Sequence, residues 1–397
     1  MTSTTTAPVA PPLPHRASVR ARSRRKVRIL IPVAAAGLAG LALSRVSALG
    51  ASWSDALTRL VSLDWRWPLV FGVVWLLGLA AHTVMLTAAL PGLTHLRALT
   101  LNVAGNAVAN LLPLGGVVGT ALNLSMARSW GHPDRDFVRF ALVSKAWDFI
   151  AKLTMPLLSV GVLLALGRLE PTGRGWALLA GSVLSAAAGT LVVALLGHAG
   201  PLLRTVAQVE RVLRRRAAEN RRGFQQTAAV SALFDGTQTL VRCRWRSLTG
   251  GMAGYLALQC LLLWLCLTAV GLRLPAATLF AALVAGRLLS LLSITPAGVG
   301  FVEAGTTAVL VALHVDPTGA LAGLLLYRAF VVFAEVPAGG LAIALWAVNK
   351  ALPQRRKGRS GPPSPSRSGV EHVKGETVCA VQFACVAEEL ESGVAGA

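Results

Sequence analysis

Eight apolar stretches, each about as long as a helix must be to cross the ~30 Å hydrocarbon core of a bilayer, occupy most of this chain of 397 residues. They run at roughly 29–49, 67–90, 98–123, 140–167, 175–197, 248–271, 277–312 and 318–348, and the third and seventh are broken by proline and glycine. Hydrocarbon offers backbone amides no water, so such stretches must satisfy their own hydrogen bonds, and no two-residue alternation of a barrel strand is present. An all-α polytopic membrane protein is the expected fold class. With 54% of residues hydrophobic and 14% charged, a soluble globule is excluded.

The positive charge sets the expected topology. The net charge of +21 is concentrated between the spans, which reads as orientation in a membrane rather than as nucleic-acid binding. Residues 1–28 carry seven cations and no acid; the linker 199–247 carries ten arginines against Glu210, Glu219 and Asp235; Arg355, Arg356, Lys357 and Arg359 follow the last span. All three belong on the cytoplasmic side of the cell (inner) membrane by the positive-inside rule, with 29–49 an uncleaved first span. Residues 350–397, basic at first and then rich in Ser, Pro and Gly, read as a disordered tail.

Parity then constrains the broken segments. Basic residues flank 98–123 on the same side, and about 26 residues are too few for two crossings at 1.5 Å per residue. A re-entrant hairpin follows, turning at Asn110-Leu-Leu-Pro113-Leu-Gly115-Gly116. The segment 277–312 begins and ends on the outer side and breaks at Ser293-Ile-Thr-Pro296-Ala-Gly298-Val-Gly300; at about 36 residues it is either a second hairpin or two short spans. About six full spans and two broken hairpins are expected within a membrane domain at 29–349.

The two halves repeat. Lys145 follows Pro113 by 32 residues, and Arg328 follows Pro296 by 32. Repeat one, about 67–167, starts outside and repeat two, about 248–348, starts inside, so the units are inverted. Inverted repeats with broken helices place a transporter's site where the breaks meet.

Charges inside spans cost roughly 2.5–3.5 kcal/mol at a helix centre, so each is a candidate for function. Lys145, Asp148 and Lys152 share one helical face, where Asp148 can neutralise one lysine and leave the other for an anion. Arg287, Glu303, Arg328 and Glu335 are the counterparts in the second half; Arg328 is expected to meet Glu303 or the hairpin backbone, and Arg287 or Lys145 to receive a phosphate. Closed ion pairs that only fix packing are the alternative. Asn102, Asn106 and Asn110 form a polar stripe that faces either headgroups and water or neighbouring helices. The half-helices after Pro113 and Pro296 would aim free amides at the bilayer interior.

No Walker loop, GxSxG, HExxH or acidic metal pair occurs, the seven histidines are scattered, and the five cysteines include no CxxC. Neither an enzyme, a cofactor nor a metal site is expected.

Set side by side, Asn110-Leu-Leu-Pro113-Leu-Gly115-Gly116, Ser144-Lys145-Ala-Trp-Asp148, Pro296-Ala-Gly298-Val-Gly300-Phe-Val-Glu303-Ala and Leu326-Tyr327-Arg328 resemble the flippase-like membrane region of lysylphosphatidylglycerol synthase over about 67–348. That family's second break usually reads close to Pro-Gly-Gly-x-Gly-x-x-Glu-Ala, matched here with Ala297 for one glycine. Its first cation site often reads Glu-Arg-x-x-Asp, where this chain has Ser144, Lys145 and Asp148. The resemblance implies a membrane protein that binds or moves an anionic phospholipid or lipid-linked substrate between leaflets. The family's separate aminoacyl-transferase domain has no counterpart of that size after residue 348, so aminoacylation is not expected. A second reading is a non-transporting scaffold or partner subunit for envelope lipid or glycan enzymes.

Overall fold

A computed structural model describes residues 44–112, 115–167, 173–197, 221–291 and 295–351, with Gly37, Gly40 and Leu41. The N-terminal basic segment, most of the expected first span, Pro113, the linker arginines up to 220 and the tail lie outside the described residues. What is described is helical, without strands. In chain order the helices are α1 (Trp53–Val61), α2 (Arg66–Ala89), α3 (His95–Leu111), α4 (Gly115–Ser129), α5 (Asp134–Ala165), α6 (Gly173–Gly197), α7 (Arg221–Ala269) and α8 (Ala276–Leu289). A 3-10 turn at Pro296–Gly298, α9 (Phe301–Ala312), α10 (Pro317–Arg328), a π-turn at Ala329–Phe333 and α11 (Glu335–Ala351) complete them.

Local sequence accounts for the punctuation. Thr94 caps α3 by accepting from the Arg97 amide at 3.4 Å. Asp316 caps α10 by accepting from the Gly319 amide at 2.8 Å, ahead of Pro317 in the first turn, where no amide is missed. The π-turn carries an Ala334 amide to Ala329 carbonyl bond of 2.8 Å. This shift of register puts Pro337 in the first turn of α11, where its absent N–H breaks no bond.

Four helical stretches, Arg66–Ala89, Asp134–Ala165, Gly236–Ala269 and Pro317–Ala351, are long and apolar enough to cross a bilayer, and Leu179–Leu191, Ala276–Leu289 and Pro296–Ala312 are shorter apolar helices. Both expected breaks are present: α3 stops at Leu111 and α4 begins at Gly115, while α8 stops at Leu289 and helix resumes at Pro296. One boundary differs from expectation. The span expected to begin at 248 is instead the second half of α7, which starts at Arg221 in the basic linker and is 49 residues long. The Gly250-Gly251 pair does not end it because α2 packs against Gly251, where a Cβ would stand 2.5 Å from the Met85 amide nitrogen; Gly250 faces open space. Tertiary contact at Gly251 overrides the weak helix propensity of the pair.

The packing is reciprocal between the halves. Helix α2 lies along α7, α3 pairs with α4 as α8 pairs with α9, α3 packs on α11, and α5 packs on α8. Met85, Leu101, Met126, Phe140 and Leu248 form one buried cluster, and Leu263, Leu267, Leu283, Leu310 and Leu324 another. Lipid tails are as apolar as leucine, so fit and polar contacts hold spans together more than burial does. Thr83 Oγ1 with His95 Nδ1 at 2.8 Å and Ser185 Oγ donating to the Leu153 carbonyl at 2.8 Å are such contacts, worth about 0.6 kcal/mol each.

Candidate functional site

The turn between α8 and α9 is held by one arginine. Ala297, Gly298 and Gly300 all have positive φ, of 53°, 69° and 86°. Glycine accepts such φ freely, whereas Ala297 is strained and needs outside support. Arg328 supplies it from α10: its Nη2 donates to the Ala297 carbonyl at 2.6 Å and its Nε to Glu303 Oε1 at 2.7 Å. Glu303 Oε2 accepts from the Gly300 amide at 2.6 Å, so both carboxylate oxygens are occupied. Glu303 and Arg328 are 4% and 9% exposed, and α3 packs against the turn. Pro296 starts the turn, and Gly298 is buried within it.

The first hairpin brings a polar stripe to the same region. Asn106 Nδ2 donates to Asn102 Oδ1 at 3.3 Å, and the side chains of Asn106 and Asn110 interact with Glu335, which is 4% exposed on α11. A side chain at Gly115 would collide with the Val108 carbonyl, so this glycine is what lets α4 start so close to α3. Gly116 has open space around it and lines a cleft of about 460 Å³ between α4 and α5, with Val117, Thr120, Leu124, Phe137 and Val138.

A third group joins the two halves. Asp148 lies near the middle of α5, with Oδ2 at 2.8 Å from Lys152 Nζ and Oδ1 at 3.6 Å from Nη1 of Arg287 on α8. The Arg287 guanidinium lies 5.2 Å above the Tyr255 ring of α7, and Tyr255 stacks on His82 of α2 at 4.5 Å between centroids. Tyr327 donates to Gln259 Oε1 at 2.6 Å. Lys145 is exposed, and no ion pair is made to it among the described residues. Three cations thus surround one aspartate, a surplus of positive charge that can accept an anion.

The structure therefore joins Glu303, Arg328, Pro296, Gly298 and Gly300 in one latch, and Asp148 and Arg287 in another contact. It brings Asn106 and Asn110 to Glu335, leaves Lys145 uncommitted, and does not describe Pro113. Sequence reasoning missed Tyr255, Tyr327, Gln259 and His82 as members of the polar interior. A signal was present: the chain has only two tyrosines, and both stand in apolar runs.

The profile of a family described as the lysylphosphatidylglycerol synthase TM region matches residues 29–339, most of the chain. A comparison with curated proteins finds no match. The helical membrane architecture, the two broken segments and this match together place the chain in the lysylphosphatidylglycerol synthase transmembrane-region family, whose function is lipid-related.

Proposed function

We propose that this protein is a flippase-like carrier that binds an anionic phospholipid headgroup at Lys145, Asp148 and Arg287 and passes it between leaflets. The observation that carries the reading is the Asp148–Arg287 contact at 3.6 Å, which ties the halves together beside an exposed, uncommitted lysine near mid-span. A phosphate entering there competes with Asp148 for Arg287 and loosens the tie, which couples binding to movement. Lys145 follows Ala141 by one helical turn, and Ala141 lines the α4–α5 cleft, so a headgroup at Lys145 lets an acyl chain lie in apolar space.

The reciprocal packing of α3 on α11 and of α5 on α8 supports two inverted units that exchange roles when the carrier changes sides. In this reading α3–α4 and α8–α9 are re-entrant hairpins from opposite faces, both termini are cytoplasmic, and the chain has no catalytic step of its own. Fluorescent phosphatidylglycerol in reconstituted vesicles tests it. The protein should speed exchange between leaflets, with the rate reduced by Asp148→Asn and Arg287→Ala. Exchange no faster than in protein-free vesicles, with no anionic lipid retained on gentle extraction, would leave the scaffold reading instead.

A further inference from the structure

Three carboxylates stand near the middle of spans or hairpins among the described residues. Asp148 and Glu303 are salt-bridged, whereas Glu335, 4% exposed, makes no salt bridge to any described residue. It follows the π-turn at the midpoint of Pro317–Ala351, where the helix changes register, and it is clasped by the amides of Asn106 and Asn110. The amides donate to the carboxyl oxygens, but a carboxylate this deeply buried with no cation paired to it among the described residues is costly in a low-dielectric interior, so burial is what favours the neutral acid here. The clasp has no slack, because a side chain at Gly339, one turn further along α11, would collide with the Val103 carbonyl of α3. Any withdrawal of α3 therefore opens Glu335 directly.

We propose that Glu335 is a proton-binding site linked to movement of the first hairpin, so that the lipid cycle described above is driven by a proton gradient. With α3 seated, the carboxyl keeps its proton between Asn106 and Asn110. When α3 withdraws, water enters, the O–H bond breaks, the electron pair stays on the carboxylate and the proton leaves as hydronium; reseating reverses the step. The other groups facing the site are few. Helix α3 offers only amides there, α8 offers Arg287, which acts on Glu335 through space, and α7 offers the Tyr255 phenol. Arg328, on the same span, is held by Glu303. Among the described residues the cation that acts on the carboxylate is Arg287, which also meets Asp148.

The inference rests on the carrier reading for what the proton drives, but proton binding is measurable without transport. Infrared difference spectra of the full chain in lipid nanodiscs, taken across a pH titration, should show a protonated-carboxyl stretch that disappears in Glu335→Gln and whose midpoint moves in Asn110→Ala, which keeps the acid. In vesicles carrying fluorescent phosphatidylglycerol, an imposed pH gradient should change wild-type transport and leave Glu335→Gln transport unaffected. Persistence of the band in Glu335→Gln, an unmoved midpoint in Asn110→Ala, or a retained gradient response overturns the proposal. Wild-type vesicles that move no lipid overturn the carrier reading, and the infrared titration then decides the proton site alone.

Discussion

Arg328 and Glu303 meet at 2.7 Å inside the bundle, and the same arginine reaches the strained Ala297 carbonyl at 2.6 Å. The pair is thus part of the second hairpin's backbone geometry as much as of its charge balance. Removing one partner leaves a buried charge uncompensated and releases the turn.

Arg328→Ala or Glu303→Ala should each cost about 3–5 kcal/mol of stability and abolish lipid movement. Thermal unfolding in detergent would measure the loss. The double variant Glu303→Gln with Arg328→Met should recover much of the stability without the activity, because neither buried charge remains. Equal stability of the single variants and wild type would mean that the latch carries no load.

Lys145 is exposed and uncommitted, so Lys145→Ala should leave the melting temperature unchanged. A charge-assisted contact to phosphate is worth about 1.5–3 kcal/mol, so exchange of the anionic lipid should fall roughly tenfold or more. A zwitterionic lipid should be less affected, since its own ammonium already competes for the phosphate. Identical losses for both lipids would argue against Lys145 as the phosphate partner.

Cysteine substitutions report which surfaces meet water. Asn106→Cys and Asn110→Cys, on the partly buried stripe, should react with a membrane-impermeant thiol reagent from one side, and Thr295→Cys from the other if the hairpins enter from opposite faces. Leu69→Cys and Val73→Cys, exposed on α2 toward lipid, should resist it. Labelling of both hairpins from the same side would end the inverted arrangement.

His132, in the turn between α4 and α5, has its pKa held below the usual 6.5, first by burial and then by Arg97, with Asp136 opposing. The folded state therefore prefers the neutral ring. Its contribution to stability is present above about pH 6.5 and is lost as pH falls from there through the lowered folded value. Melting temperature measured against pH should drop over that window in the wild type and less so in His132→Gln. The same slope in both proteins would place the acid sensitivity elsewhere.

Much of this was legible in the sequence because hydropathy and backbone chemistry act locally. The span at 67–90, the breaks before Gly115 and at Pro296, and the meeting of Arg328 with Glu303 follow from runs, prolines and the scarcity of charge. Three features were not legible. The continuity of α7 through Gly250 and Gly251 depends on α2 lying against it. The π-turn at Ala329–Phe333 contains neither proline nor glycine, and Pro337, which its register places in the first turn of α11, lies downstream. The Asp148–Arg287 contact joins residues 139 positions apart, a distance over which no periodicity carries information.

The length of α7 has a mechanical meaning. Its 49 residues make a rod of about 73 Å, with Arg244, Trp245 and Arg246 exposed along it and Tyr255 beneath Arg287 further on. A kink would absorb force applied at the basic stretch, but an unbroken rod transmits it as a lever. A tilt imposed at the basic stretch is therefore carried to the aromatic ring under the guanidinium, more than two helical turns further along the same rod.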